Sequence, residues 1–154
     1  LVEQGYVAEG VTLYVGYQIL SKEGASSYQG PLKVNYYGRK VPPSVHGTGK
    51  LGRPTASLSR ITEAVLKLYD KLVDRELEVR RMSIAAIRLS PASEVPPQLS
   101  LFASQQDDER ETALVRAAIS LHKRFGKNSL VRGMDLFEAG TTTERNNQIG
   151  GHRR

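Results

Sequence analysis

The stretch SLSRITEAVLKLYDKLVDRELEVRRMSIAAIRL, Ser57–Leu89, changes hydrophobic period partway along, and the fold class turns on that change. In its first half, Leu58, Ile61, Val65, Leu68 and Leu72 fall at i, i+3, i+7, i+10 and i+14. That spacing makes one apolar stripe on a helix, expected over about Ser57–Asp74. Thr55, Ser57 and Ser59 each offer a side-chain oxygen that can cap its first turn. In the second half, Met82, Ile84 and Ala86 alternate with Arg81, Ser83, Ala85 and Ile87, the period of a strand over Val79–Leu89.

Upstream, Val11, Leu13, Val15, Tyr17 and Ile19 alternate with Thr12, Tyr14, Gly16 and Gln18, which predicts a half-buried strand. Ser21–Pro43 is rich in turn residues, with a short strand or hairpin expected around Leu32–Tyr37. Val45–Leu51 reads as a Gly-interrupted strand ended by Gly52-Arg53-Pro54. Downstream, Pro91, Pro96 and Pro97 stop regular structure. A second helix then has Asp107 or Asp108 as its expected N-cap and Glu109 and Glu111 in its first turn. Lys123 and Arg124 fall in its last turn, and Gly126 follows at the position that favours a left-handed residue. Its stripe is Leu114, Ala118, Leu121 and Phe125. A short strand is expected at about Leu130–Met134, and then a polar tail. The order of elements predicts an α+β fold: a small, mostly antiparallel β-sheet with two α-helices packed on one face and the other face free to meet a partner.

The chain has 154 residues and a net charge of +6. The window from Gly24 to Thr62 contains no Asp or Glu but carries Lys33, Arg39, Lys40, Lys50, Arg53 and Arg60. Those six residues equal the whole surplus, and an acid-free basic stretch points to a polyanion partner. The absence of cysteine excludes disulfides, thiol catalysis, cysteine-ligated zinc and iron–sulfur clusters. His46, His122 and His152 lie far apart in sequence, so no metal site is expected. No apolar run approaches the roughly 18 residues of a membrane span, and no signal peptide opens the chain. A cytoplasmic protein without a membrane partner is expected. Three Phe, seven Tyr and no Trp argue against an aromatic platform for single strands. Leu1 rather than Met at the first position points to a piece of a longer protein.

Two motifs carry chemistry. Gln98-Leu99-Ser100-Leu101-Phe102 follows two prolines and precedes an acidic stretch, which places two leucines and a phenylalanine in an expected loop. One reading is that they fold back onto the domain's own core. The other is a peptide anchor, with Gln98 for a polar contact and Leu101 and Phe102 for an apolar pocket on another protein. Four fixed positions of this kind match by chance only roughly a few times in a thousand chains of this length. The second motif is Gly47-Thr48-Gly49-Lys50-Leu51-Gly52-Arg53-Pro54-Thr55, with Arg39-Lys40 upstream. Its glycines would let backbone N–H groups approach phosphate, with Thr48 adding a donor and Lys50 and Arg53 adding charge. It is not a P-loop, because the first Gly is missing and Leu51 stands where a Mg²⁺-binding hydroxyl is needed. Arg80-Arg81 opens the Val79 strand and adds to a basic face. No nucleophile–base set or carboxylate pair for two-metal chemistry can be assembled, and Asp107-Asp108-Glu109 reads as helix capping.

Basic loop, Arg-Arg strand and Q-L-x-L-F occur in the order found in the C-terminal little finger domain of Y-family translesion DNA polymerases, and Q-L-x-L-F resembles the sliding-clamp motif of bacterial replication and repair proteins. Two later runs sharpen the likeness: Lys123-Arg124-Phe125-Gly126-Lys127-Asn128-Ser129-Leu130-Val131-Arg132-Gly133 and Glu144-Arg145-Asn146-Asn147-Gln148-Ile149-Gly150-Gly151-His152. Both resemble the C-terminal end of the UmuC/ImpB/MucB/SamB type, especially its UvrX-like members. The Ser21–Pro43 stretch is longer than the strand connection usual there. The resemblance implies a linker end at 1–10, a little finger domain at 11–137 with a clamp-binding segment at 95–104, and a polar basic tail at 138–154. It implies a sheet face that lies along primer–template DNA, with phosphate contacts from Thr48, Lys50, Arg53, Arg80 and Arg81. It implies that Gln98, Leu99, Ser100, Leu101 and Phe102 bind the beta subunit of the bacterial sliding clamp. The parent would serve DNA repair, including the SOS response, and would use Mg²⁺ in a palm domain that this piece lacks. This piece would then be an inactive binding module without a cofactor. The other readings are a free-standing clamp-binding regulator that never touches DNA, or a small nucleic-acid enzyme.

Overall fold

The computed structural model describes residues 1–20, 28–95, 105–138 and 140–148. The chain divides into two compact units, with the break between Pro97 and Gln98.

The first unit is built on β1 (Tyr6–Tyr17), the middle strand of a three-stranded antiparallel sheet. Its neighbours are β4 (Val45–Thr55) and β5 (Val79–Pro91). The long connection between β1 and β4 carries a separate two-stranded hairpin, β2 (Lys33–Val34) with β3 (Lys40–Val41). α1 (Leu58–Leu72) follows β4. The sheet is antiparallel and the fold α+β, as the period change in Ser57–Leu89 predicts.

Val11, Leu13 and Val15 are completely buried on the face of β1 turned toward α1. Burying each side chain stabilises the fold by about 1.5–3 kcal/mol. Register carries this face across the sheet: Val11 pairs with Ala86 and Gly49, Leu13 with Ile84 and Gly47, and Val15 with Met82 and Val45. Val65 of α1 is buried in the same cluster, and Ile61 and Leu68 pack against it. The expected helical stripe is therefore the face that meets the sheet.

Gly47 and Gly49 have a different role from the one their sequence setting implies. A Cβ on Gly47 would lie 2.6 Å from Leu72 Cδ1, and one on Gly49 would lie 3.3 Å from Leu68 Cδ1. These glycines point at α1 and let its leucines sit down on β4. They do not line an anion cradle.

The turn from β4 into α1 is wired by side chains. Ser57 N–H donates to Thr55 Oγ1 at 3.0 Å, and Ser57 Oγ accepts from the Arg60 N–H at 3.3 Å. Ser57 is thus the N-cap, and both hydroxyl residues are buried. At the far end of α1, Asp74 N–H donates to Tyr17 Oη at 3.0 Å, and Asp74 Oδ2 accepts from Tyr28 Oη at 3.3 Å. This fastens the connection after β1 to the end of α1. Burial and the Asp74 carboxylate raise the Tyr28 pKa above the ordinary phenol value.

β1 begins at Tyr6, so Tyr6–Gly10, expected within a linker, belong to the central strand. The strand signal is blurred there because Glu9 is exposed between buried Ala8 and Gly10, where the pairing with β4 shifts register.

The second unit contains α2 (Gln105–Phe125), ended by Gly126 at φ +90°. The helix begins ahead of Asp107 and Asp108, which therefore lie in its first turn and are not its cap. The strand expected at Leu130–Met134 is absent. Gly133–Leu136 forms a 3-10 turn, because Asp135 Oδ2 accepts from the Arg132 N–H at 3.1 Å and closes the backbone locally. A short helix, α3 (Thr142–Asn146), follows in the expected tail. Asn128 ties the two ends of this region together: its Oδ1 accepts from Asn146 Nδ2 at 2.7 Å and its Nδ2 donates to Asn147 Oδ1 at 3.0 Å.

The close seat of α1 is testable. Gly47→Val forces side-chain atoms into Leu72 and should lower stability by about 1–3 kcal/mol. Thermal melting with an unchanged midpoint would show that the seat has room.

Candidate nucleic-acid interface

The same register that sends Val11, Leu13 and Val15 to α1 sends their alternates to the opposite face. His46, Tyr14 and Ser83 form one row across the sheet; Thr48, Thr12 and Ala85 form the next; Lys50, Gly10 and Ile87 form the third. Gly16 and Arg81 pair beyond the first row. None of these residues is acidic, and His46, Thr48, Lys50, Arg81 and Ser83 are exposed. The hydroxyl oxygens of Thr12 and Thr48 lie 3.4 Å apart. The face thus presents hydroxyl donors flanked by cations, a surface suited to phosphate oxygens.

The five phosphate-contact residues expected from sequence do not lie in one cluster. Thr48 and Lys50 lie on β4, two positions apart on the open face. Arg81 lies on β5 at the other end of the face. Between the Gly10 and Gly16 rows the strand rises about 20 Å, at roughly 3.3 Å per residue. Lys50 and Arg81 therefore lie at opposite ends of the open face, on strands either side of β1. Arg80 is exposed and falls where the β1–β5 register shifts, between the Gly16–Arg81 and Tyr17–Val79 pairs. Arg53 differs: it follows Gly52, whose φ is +78°, in the irregular end of β4. It is half-buried and already engaged with another group of the protein. Gln98, Leu99, Ser100, Leu101 and Phe102 lie outside the described residues.

Sequence reading did not single out Thr12, Tyr14 and His46 as members of this face. Their signal was present in the alternation of β1 and β4, but only the strand pairing shows that Thr12 and Tyr14 share a face with His46, Thr48 and Lys50. Among the described residues no group of three His, Asp or Glu could hold a metal ion. Among the described residues no helix is long and apolar enough to cross a membrane.

α1 packs against β4 and β1 on one face of the sheet, and the named rows of the other face contain no acidic residue. The model of the impB/mucB/samB family C-terminal domain matches residues 1–101. The chain belongs to this family, the C-terminal domain of Y-family polymerases. Among curated proteins it is similar to DNA polymerase IV 2 of Bacillus subtilis (strain 168), at 35% identity over 103 residues. That alignment covers 67% of this chain and 24% of the relative, so the chain spans about a quarter of the relative's length. No solved structure matches.

Because Lys50 and Arg81 are exposed, Lys50→Ala/Arg81→Ala should leave the melting curve within about 0.5 kcal/mol of the parent. A larger loss in thermal or urea unfolding would make these side chains structural supports instead of contacts.

Proposed function

We propose that this chain is the DNA-gripping part of a lesion-bypass DNA polymerase of the Y family, holding primer–template DNA while a catalytic palm elsewhere in the parent extends the primer. The observation that carries this reading is the open face of the β-sheet, where the rows His46–Tyr14–Ser83, Thr48–Thr12–Ala85 and Lys50–Gly10–Ile87 contain no acidic residue and Lys50 and Arg81 lie at opposite ends. A face of hydroxyls and separated cations follows a duplex backbone without reading bases, which is what a polymerase that must accept damaged templates needs. Family membership supports the same reading. The parent would act in the cytoplasm, as part of DNA repair and the SOS response.

The test is duplex affinity as a function of salt. Each phosphate neutralised contributes about 0.9 to the slope of log affinity against log salt, so Lys50→Ala/Arg81→Ala should flatten that slope by about two units. Adding Arg53→Ala should flatten it by less than a further unit, since Arg53 is engaged within the protein. An unchanged slope in the double variant moves the grip to other residues. A chain that binds no duplex at any salt does not have this function.

The second half of the proposal is a tether. Gln98–Phe102 would bind the beta subunit of the sliding clamp as an extended peptide, with Leu101 and Phe102 as anchors. Its support is the sequence motif, together with its position where the first unit gives way to the second. Leu101→Ala/Phe102→Ala should lose on the order of 3–5 kcal/mol of clamp affinity, enough to make a micromolar complex undetectable, without moving the melting midpoint. A collapsed midpoint, or clamp affinity equal to the parent's, would assign these side chains to the domain's own packing.

A further inference from the structure

The β2–β3 hairpin has a tip that the open face does not explain. Four hydrogen bonds order it: Asn35 N–H donates to Arg39 O at 2.9 Å, Gly38 N–H donates to Asn35 O at 3.0 Å, and the N–H groups of Tyr37 and Arg39 both donate to Asn35 Oδ1 at 3.0 Å. Gly38 takes φ +73°, the left-handed conformation the tight reversal needs. The turn holds two tyrosine rings out in solvent, Tyr36 at 97% and Tyr37 at 78% exposure. The rings meet edge to face, with centroids 5.4 Å apart and planes at 86°. In that arrangement the ring that contributes its edge keeps both of its own faces free. Lys33, Arg39 and Lys40 are exposed around the tip, inside the window that contains no Asp or Glu.

Exposed rings on a hairpin that also carries exposed Lys33, Arg39 and Lys40 select a ligand that is both anionic and aromatic. Duplex DNA meets only the first requirement along its length, because its bases already stack on one another. Unpaired nucleotides meet both: each base offers a free π-face and each phosphate a charge. We propose that the Tyr36–Tyr37 hairpin is a second nucleic-acid contact, specific for unpaired nucleotides, on which bases stack while Lys33, Arg39 and Lys40 hold the flanking phosphates. The low aromatic content is thus a poor guide, since two of the seven tyrosines suffice when a rigid turn exposes them. The proposal rests on the nucleic-acid reading above and adds a preference for unpaired strand that the sheet face does not supply.

The experiment compares two probes, a 20-nucleotide oligo-dT and a relaxed, covalently closed circular DNA duplex with no unpaired nucleotides, on the parent and three variants. Tyr36→Ala/Tyr37→Ala should weaken oligo-dT binding about tenfold or more, since one stacked base is worth about 5- to 150-fold in affinity, and should leave closed-duplex affinity within about twofold. Tyr36→Phe/Tyr37→Phe should restore oligo-dT binding, because stacking needs the ring and not the hydroxyl. Lys50→Ala/Arg81→Ala should weaken the closed duplex. The chain has no tryptophan, so tyrosine emission reports the contact directly, and oligo-dT should quench it in the parent but much less in the alanine variant. Parent-like oligo-dT affinity in the alanine variant overturns the hairpin proposal, assigns the rings to a protein contact, and leaves the open-face reading intact. An equal loss on both probes also overturns it, since the hairpin would then be a general duplex contact. A parent protein that binds neither probe removes the open-face reading and this one together.

Discussion

The approach of α1 to β4 decides how the first unit is used. Leu68 and Leu72 can settle on the strand only because Gly47 and Gly49 leave no side chain between them. A helix held off by two side chains would leave the row Val11, Leu13 and Val15 less fully covered. With the seat closed, those residues are dry and the sheet has one inside and one outside. Every polar residue that alternates with the buried row then has to face out. The basic face is a consequence of the way the core closes.

That outward face works by separation. Two cations about 20 Å apart lie further from each other than the roughly 8–10 Å over which salt screens charge at physiological strength. On the proposed reading each would act on its own phosphate, and such a surface would hold a backbone loosely at several points and tolerate irregular geometry between them. The proposed hairpin contact would extend the same economy to a different chemistry: its charge would attract any strand, but its rings would reward only bases that have come out of a stack.

The fold was readable where one period dominated. The stripe from Leu58 to Leu72 gave a helix within two residues of its real end, and the Ser57 cap was among the residues proposed for it. The alternation in β5 gave both its existence and its faces. The reading failed where local chemistry carries two meanings. Glycine next to Thr48 and Lys50 looks like a phosphate loop, yet only the position of a helix across the sheet shows that Gly47 and Gly49 serve packing. Leu130–Met134 has strand-like composition, but Asp135 turns the backbone on itself before a strand can pair. The hairpin was located approximately, while the exposure of its two rings depends on the Asn35 turn and has no signature in composition.

The alternation of glycine and polar residues along β4 makes the strand intolerant of changes in length. One residue inserted or deleted between Val45 and Leu51 would swing Lys50 beneath α1 and turn the glycines to solvent, reversing both faces at once. The connection before it has no such restriction. Its two ends are held side by side by the Val15–Val45 pair, and a closed loop grows costlier by only about 0.6 kcal/mol for each doubling of its length. Length variation among descendants of this sequence should therefore gather between Gln18 and Ser44 and avoid the strand that follows. New recognition elements can arise in that connection by simple insertion, while the grip on the backbone stays as it is.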